Sequence, residues 1–288
     1  MTTTLADWVT VVARIAPDQA DLVAGLLWDA GVSGVEERDR PTGEVELRAG
    51  VVGEQLASVL ACLAPHGEIV VEVESVDPDG ELDRWREYAR AWRAGSRVVV
   101  VPAWQACPGW AGCDDLVIPI DPGRAFGSGA HPTTRMCLTE LELLIEPEAA
   151  VADVGCGSGV LAVAAARLGA ALVVAVDVDP EAVRATVANA ERNGVSHVVA
   201  SATPVDDLEA AAYDIVVANM SSHTLVALAP ALSRAVADDG TIVLSGLLEC
   251  QKELVLAAFA AHGFALTGTL AEEEWRTLLM ARGTGPTG

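Results

Sequence analysis

The segment Asp153–Val160 reads DVGCGSGV, in which an acidic and an apolar residue precede three alternating glycines and a valine. Glycines permit left-handed backbone angles and let a ligand approach the backbone closely. The apolar run Val151–Val154 before them is typical of a strand, and Val160–Leu168 after them has a helical composition. The segment therefore predicts a strand, a tight turn and a helix whose N-terminus faces a ligand, although a purely structural turn would look similar.

The alternation of strands and helices continues towards the C-terminus. We predict strands at Leu172–Val176, His197–Ala200, Tyr213–Ala218, Gly240–Leu244 and Trp275–Ala281, and helices at Pro180–Asn193, Leu225–Ala237 and Glu249–His262. Apolar strands that alternate with helices form a parallel sheet covered on both faces. The C-terminal two thirds of the chain is therefore predicted to be a Rossmann-like α/β domain.

The N-terminal part has a different pattern. We predict strands at Trp8–Ile15, Val32–Glu37, Glu44–Arg48 and Glu68–Glu74, and helices at Asp18–Ala30 and Gly53–Ala64. This βαββαβ order is that of a small ferredoxin-like α+β domain, and it contains no chemical motif.

A charged segment with a helical pattern, Glu81–Ala94, connects the two parts. Its rings Trp85, Tyr88 and Trp92 are spaced by three and four residues, so they share one helix face. We accordingly predict a ferredoxin-like domain at residues 1–75, a linker helix at 76–95 and a catalytic domain at 96–288.

The composition limits the partners and the location. The 18 Lys and Arg residues against 41 Asp and Glu residues give a net charge of −23, which repels nucleic-acid phosphates. A basic protein or a small molecule is the better partner class. No secretory signal and no apolar run long enough for a membrane span is present, which predicts a cytoplasmic protein without membrane contact. Six scattered cysteines without C-x-x-C spacing predict buried thiols and no metal site.

The glycine pattern distinguishes between two cofactor classes. A nicotinamide fingerprint, G-x-G-x-x-G/A, requires a small residue at position 160, where this chain has Val160. The pattern G-x-G-x-G suits S-adenosylmethionine better, with the backbone at Gly155 and Gly157 close to the ligand. Asp153 is the candidate for holding its cationic amino-acid end.

Acidic and hydroxyl side chains follow the next two predicted strands. Asp177 comes 20 residues after Gly157, at a strand end where a carboxylate can accept hydrogen bonds from both ribose hydroxyls. Asp179 precedes Pro180 and is the candidate N-cap of the following helix. Thr203 lies where the adenine edge is expected, although a turn role fits equally well.

Asn219 ends the fourth predicted strand, at the carboxyl edge where open α/β folds place their chemistry. Its amide oxygen can accept a hydrogen bond from an attacking amine and orient the lone pair, which makes Asn219 the catalytic candidate. Methyltransferases of adenine or glutamine amines typically follow such an Asn with two prolines and an aromatic residue. Met220-Ser221-Ser222 occupies those positions here, which disfavours that alternative.

The segment Asp121–Arg135, DPGRAFGSGAHPTTR, is rich in glycine and hydroxyl residues and is predicted to be a loop over a ligand. With this segment the chain resembles the PrmA family, the methyltransferases that modify large-subunit ribosomal protein eleven. The family patterns A-F-G-[ST]-G-x-H-x-T-T, D-x-G-[CT]-G-S-G, V-D-[IV]-D-P and V-A-N all occur here in order.

The resemblance covers most of the chain, since the family also has a ferredoxin-like domain and a connecting helix before its class I S-adenosylmethionine-dependent methyltransferase domain. Departures are modest: Ser128 replaces the commoner Thr, Ala202 stands where Gly is usual, and Met220-Ser221 replaces aliphatic pairs. Carried over by position, the resemblance implies cofactor contacts at Phe126, Ser128, Thr133, Gly155, Asp177 and Asn219.

The resemblance implies an enzyme that methylates lysine side chains or the N-terminal amine of a large-subunit ribosomal protein, and we expect this enzyme to be a monomer. His131 is expected to order the loop, with a proton relay as the alternative. Two other functions remain open: a methyltransferase of another protein or a small molecule, and a noncatalytic protein that binds S-adenosylmethionine.

Overall fold

The structure is a computed structural model that describes residues 8–30, 32, 35–40, 42–64, 69–75, 89–123 and 130–283. The chain divides into two compact units, Met1–Tyr88 and Ala89–Gly288. Most of the predicted linker helix, residues 76–88, and the loop residues 124–129 lie outside the described part.

The first unit has the predicted βαββαβ order. Its strands are β1 (Trp8–Ile15), β2 (Val35–Asp39), β3 (Val45–Val52) and β4 (Val70–Ser75), and its helices are α1 (Ala20–Asp29) and α2 (Gly53–Leu63). All pairs are antiparallel in the order β2-β3-β1-β4, which is the ferredoxin-like arrangement. Alternate strand residues such as Val11 and Leu47 pack with Val23, Leu27 and Val59 of the helices. The predicted fold of this unit is therefore confirmed.

A buried carboxylate lies on the other face of this sheet. Glu46 is 6% exposed and accepts hydrogen bonds from Arg14 at 3.2 Å, from Arg48 at 3.3 Å and from Arg40. Burial alone would raise the pKa of Glu46, but the three guanidinium groups outweigh burial and hold that pKa below its usual value. Arg14 also pairs with Glu72 through two hydrogen bonds of 2.9 Å. The charge of Glu46 is therefore neutralised locally.

The second unit is built around a seven-stranded sheet in the order β10-β9-β8-β11-β12-β14-β13. The strands β8 to β12 are parallel, and β14 and β13 continue the sheet antiparallel. Their bounds are β8 (Ala150–Val154), β9 (Leu172–Val176), β10 (Val198–Ser201), β11 (Tyr213–Asn219), β12 (Val236–Leu248), β13 (Phe264–Glu272) and β14 (Trp275–Arg282). The predicted parallel α/β sheet is confirmed.

Helices cover both faces of this sheet, as its side chains require. Their bounds are α3 (Pro132–Leu144), α4 (Val160–Leu168), α5 (Pro180–Arg192), α6 (Ser222–Ala235) and α7 (Lys252–Ala260). Successive residues of β11 alternate between two apolar clusters, with Val217 packed on the side of α3 and α4 and Val216 on the side of α6 and α7. This alternation follows from the period of two in a strand.

A separate three-stranded sheet begins the second unit. It contains β5 (Trp92–Ala94), β6 (Val98–Pro102) and β7 (Leu116–Ile120), and β5 pairs antiparallel with β6. The predicted helix Glu81–Ala94 is therefore wrong at its end, because Trp92–Ala94 forms a hairpin strand. Gly95 makes the hairpin turn possible with a positive φ of +58°, and Ala94 is buried at 3% exposure.

The predicted loop Asp121–Arg135 is also too long. Pro132 to Arg135 form the first turn of α3, with Pro132 at the start of the helix and His131 as its N-cap. Pro is favoured at this position because its missing N–H needs no partner there. In addition, β13 was not predicted, since most of its side chains are exposed and carry little apolar alternation.

The cysteine prediction is wrong in part. Cys137 and Cys156 are buried, whereas Cys107, Cys113 and Cys250 are exposed and Cys62 is intermediate. Among the described residues, no helix is both long and apolar enough to cross a membrane.

Candidate active site

Three of the predicted site residues, Asp153, Asp177 and Asn219, lie at the carboxyl ends of neighbouring parallel strands. The register pairs Val154 of β8 with Val176 of β9 and with Ala218 of β11, so these strands end at one level. The chain beyond β8 stays close to β9, because the N–H groups of Gly155 and Cys156 donate to the carbonyl of Val176 at 2.8 and 3.1 Å. Open parallel sheets bind ligands at this edge.

The glycine turn adopts a conformation that favours glycine at each of its three glycines. Gly155, Gly157 and Gly159 have φ values of +74°, +54° and +77°. At Gly159 a Cβ atom would also lie 2.8 Å from the Cα atom of Thr186 on α5, so α5 packs directly on the turn. At Gly155 a Cβ atom would meet only the flexible end of Met220. Gly155 is therefore required for its backbone conformation, whereas Gly159 is required both for its backbone conformation and for the close packing of α5.

Asp177 follows β9 and joins two backbone segments. Its Oδ2 accepts from the N–H of Gly157 and its Oδ1 from the N–H of Asp179, both at 2.9 Å. A carboxylate has about four acceptor positions, so each oxygen can accept one more donor. Asp179 caps α5 by accepting from the N–H of Glu181 at 2.8 Å, which confirms its predicted role. Asp177 is thus held in place beside the glycine turn.

Asp153 lies beneath the glycine turn and is 1% exposed. Its Oδ2 accepts from the N–H of Ala162 at 3.0 Å, while its Oδ1 is buried and has no hydrogen-bond partner among the described residues. Burial is the main cause that raises the pKa of Asp153 to about 7. The negative charge of Asp177 acts in the same direction, whereas the hydrogen bond from the Ala162 N–H acts to lower this pKa. An unpartnered buried carboxylate oxygen suits a cationic ligand group.

Asn219 ends β11, as predicted, and its amide group is oriented by a neighbour. Its Nδ2 donates to Oγ1 of Thr134 at 3.2 Å, and Thr134 is 4% exposed in the first turn of α3. The Oδ1 of Asn219 accepts no hydrogen bond from any residue that the structure describes. Thr134 was not singled out from the sequence, although its place in the Thr-Thr pair before an apolar helix was a usable signal.

Thr133 and His131 form a capping pair. The Oγ1 of Thr133 lies 2.8 Å from Nδ1 of His131, and the N–H of Thr133 donates to the same nitrogen at 3.4 Å. The His131 ring packs edge-to-face on Trp275 with centroids 4.7 Å apart. Burial, followed by the charge of Arg135, lowers the pKa of His131. The capping nitrogen must be unprotonated, so the neutral ring carries its proton on Nε2.

The other predicted residues have a less central place. Thr203 is exposed, and its Oγ1 lies 2.8 Å from Oγ of Ser201 in the turn after β10. Phe126 and Ser128 lie outside the described residues. In the described part of the chain, no group of three or more His, Cys, Asp or Glu side chains is arranged to hold a metal ion.

The parallel sheet, the glycine turn without a dinucleotide fingerprint and the acid at the next strand end define a class I methyltransferase fold. The family described as "Ribosomal protein L11 methyltransferase (PrmA)" matches residues 54–283. The chain belongs to this family, which confirms the resemblance seen in the sequence.

Individual relatives support the same assignment. The Ribosomal protein L11 methyltransferase of Pelotomaculum thermopropionicum is 38% identical over 94% of this chain and 98% of its own length. That of Citrifermentans bemidjiense is 44% identical over 68% of this chain and 65% of its own. A crystal structure of ribosomal protein L11 methylase from Lactobacillus delbrueckii subsp. bulgaricus has a TM-score of 0.62 and 30% identity, covering 68% of this chain and 98% of that one.

S-adenosylmethionine is the cofactor of this family. The observed site fits it on three counts. The glycine turn leaves its backbone close to the carboxyl edge, Asp177 retains acceptor positions, and the unpartnered Oδ1 of Asp153 suits a cation.

Proposed function

We propose that this chain is a protein N-methyltransferase whose substrate is ribosomal protein L11 and whose acceptors are lysine side chains or the N-terminal amine. The observation that carries the proposal is the Asn219 amide, which Thr134 holds by its nitrogen while Oδ1 keeps its acceptor capacity. Its position at the carboxyl edge, beside the glycine turn, is where an acceptor amine has to arrive. The relatives named for this substrate match nearly the whole chain, including the first unit.

The cofactor contacts are proposed as follows. Asp177 accepts hydrogen bonds from the ribose hydroxyls, the backbone at Gly155 and Gly157 lies along the ligand, and Asp153 faces the cationic amino-acid end. Thr203 borders the adenine. Family resemblance adds Phe126, Ser128, Thr133 and Asn219.

The reaction requires a neutral amine, which the chain's own residues must orient. Bound S-adenosylmethionine supplies an activated methyl group on a positively charged sulfur. A lysine amine has an ordinary pKa of about 10.4, so its ammonium form must release a proton to solvent before the neutral amine can act as a nucleophile. Asn219 Oδ1 accepts a hydrogen bond from that amine and directs its lone pair. His131 orders the start of α3 through Nδ1, so we assign it no proton relay.

The two units have separate proposed roles. Residues 1–75 recognise the protein substrate, and residues 96–288 bind the cofactor and hold the reacting amine. Residues 76–95 link these two parts of the chain. All the site residues proposed above belong to the second unit. We further propose a cytoplasmic monomer that binds no nucleic acid directly, since a net charge of −23 repels phosphates.

Mass spectrometry tests the proposal. Purified ribosomal protein L11 incubated with the enzyme and S-adenosylmethionine should gain mass in steps of one methyl group, at lysine residues or at the N-terminus. Asn219→Ala should lower kcat about a thousandfold, within the range for a group acting on the proton or lone pair, and change the Kd for S-adenosylhomocysteine less than threefold. Ser221→Ala is the matched control, because Ser221 caps α6 two residues away and should leave kcat nearly unchanged.

The opposite results have clear meanings. Unmodified L11 in the presence of a folded enzyme that binds S-adenosylhomocysteine would favour another protein or a small molecule as substrate. Asn219→Ala with full activity would remove Asn219 from catalysis, and a larger effect on Kd than on kcat would leave it with the cofactor contact alone.

A further inference from the structure

Two buried polar side chains of α5 have no part in the function described so far. Thr186 and Asn189 are both 0% exposed and lie one helical turn apart. Thr186 Oγ1 donates to the carbonyl of Gly157 at 3.1 Å, and Asn189 Nδ2 donates to the carbonyl of Ser158 at 2.8 Å. Both side chains of α5 therefore hold backbone carbonyls of the glycine turn.

These contacts fix how the peptide groups of the turn are oriented. The Gly157 carbonyl faces α5, whereas the Gly157 N–H donates in another direction, to Asp177 Oδ2 at 2.9 Å. Close packing of α5 on the turn is possible because Gly159 has no Cβ atom. Glycine-rich segments lose much conformational entropy when they are ordered, so side-chain hydrogen bonds are needed to keep one conformation.

Asn189 also reaches the strand end that precedes the predicted ligand loop. Its Oδ1 accepts from the N–H of Asp121 at 3.0 Å, and its Nδ2 donates to the carbonyl of Asp121 at 2.9 Å. Arg192 donates to the same Oδ1. One amide group therefore joins the residue after β7 to the glycine turn, and both its N–H groups and its oxygen are used.

We propose that Thr186 and Asn189 are positioning residues for S-adenosylmethionine, which hold the glycine turn in its binding conformation before the cofactor arrives. Preorganisation raises affinity because less ordering remains to be done on binding. Loss of either donor would remove a hydrogen bond that holds a carbonyl of the turn and would allow the turn to rearrange. The inference rests on the proposed contact between this turn and the cofactor, and it is separate from the identity of the protein substrate.

Isosteric substitutions test the inference by calorimetry with S-adenosylhomocysteine on the full-length protein. Thr186→Val removes the hydroxyl group and should raise Kd about tenfold, whereas Thr186→Ser keeps it and should stay within twofold. Asn189→Asp removes both N–H donors and should raise Kd tenfold or more. Asn193→Asp is the matched control, because Asn193 Nδ2 donates to Pro119 and to the Asn189 carbonyl but not to the glycine turn.

Thermal unfolding of each variant without ligand separates positioning from stability. We expect Asn193→Asp to lower Tm without changing Kd more than twofold. Wild-type Kd values in Thr186→Val and Asn189→Asp would overturn the positioning role, as would an equal loss of affinity in Asn193→Asp. If Asn189→Asp does not fold, the Thr186→Val and Thr186→Ser pair decides alone. A wild-type protein that bound no S-adenosylhomocysteine would overturn the proposed function itself.

Discussion

The two units each bury a carboxylate, and they treat it in opposite ways. Glu46 in the first unit is surrounded by Arg14, Arg40 and Arg48, which keep its pKa low. Asp153 in the second unit has one backbone donor, and one of its oxygens has no partner among the described residues. A fully paired charge specifies structure, whereas an incompletely paired one is a candidate for ligand binding. This difference supports the proposal that the cofactor binds in the second unit, and it gives the buried carboxylate of the first unit a structural role.

The largest expected effect comes from removing the first unit. A chain that begins at Ala89 retains every cofactor residue proposed here, so it should bind S-adenosylhomocysteine with little change in Kd. Methylation of L11 should fall about a hundredfold, because the substrate amine must be held within roughly 3–3.5 Å of the methyl group and positioning supplies much of the rate. Calorimetry and mass spectrometry measure the two quantities.

A truncated chain that binds ligand and methylates L11 at the full rate would contradict the recognition role. A methyltransferase of small molecules would then become the better explanation. Loss of ligand binding would instead mean that the second unit depends on the first.

The second-largest expected effect concerns the affinity for the cofactor product only. Asp177→Ala removes the proposed ribose acceptor and should weaken S-adenosylhomocysteine binding by about 2 kcal/mol, or roughly thirtyfold, as expected for lost charge-assisted hydrogen bonds. Asp179→Ala is a matched control, since it removes only the cap of α5. An unchanged Kd in Asp177→Ala would show that Asp177 does not hold the ribose.

Most of the fold was predictable because it depends on local patterns. The runs before and after the glycine turn match β8 and α4 within a residue, since β-branched and small apolar residues dominate them. The hairpin of β5 was missed because its pairing with β6 competes with a convincing helical pattern of aromatic rings. Helix α3 was missed because the glycine-rich residues before it suggested a longer loop.

The sequence alone indicated which strand ends form the candidate site. Parallel topology brings the ends of β8, β9 and β11 together, so the sequence could place Asp153, Asp177 and Asn219 at one edge of the sheet. Thr134, Thr186 and Asn189 could not be found in this way. The partners cited here lie between 29 and 85 residues away. Thr186 and Asn189 bind backbone carbonyls, which leave no pattern in the sequence, whereas Thr134 could have been noticed only as part of its Thr-Thr pair.

A pH dependence of cofactor affinity should distinguish Asp153 from Glu46. With a pKa of about 7 for Asp153, the carboxyl group is mostly neutral at pH 6 and ionised at pH 8. A cationic ligand favours the ionised form, so affinity for S-adenosylhomocysteine should rise up to about tenfold between these values. Asp153→Asn should lose this dependence, as measured by calorimetry at both pH values, while Glu46→Gln should keep it.

Without ligand, the free energy of unfolding should change with pH in the direction opposite to the affinity. The folded-state pKa of Asp153 lies above the unfolded value of about 3.9, so the folded protein binds more protons in the window between about pH 4 and pH 7. Stability should therefore fall as pH rises through this window, and Asp153→Asn should remove that contribution. An affinity that does not change between pH 6 and pH 8 in the wild type would contradict the proposed role of Asp153.

The smallest expected effect concerns Glu46→Gln, which tests the structural half of the comparison. The substitution removes a charge but keeps the shape, and Arg14 and Arg48 retain Glu72 and Glu74 as partners. We expect a loss of about 1 kcal/mol in the free energy of unfolding at pH 7, because the arginines are only partly shielded from water. The pKa of Glu46 is lowered on folding, so its contribution is present above the unfolded value of about 4.3 and is lost as pH falls through the folded one. Urea unfolding at pH 7 and at a series of lower pH values should therefore show the difference between wild type and variant shrink as pH falls below about 4.3, with an unchanged Kd for S-adenosylhomocysteine at pH 7. A weakened Kd would mean that the charge of Glu46 matters to the cofactor site, and the division of roles between the two units would then be wrong.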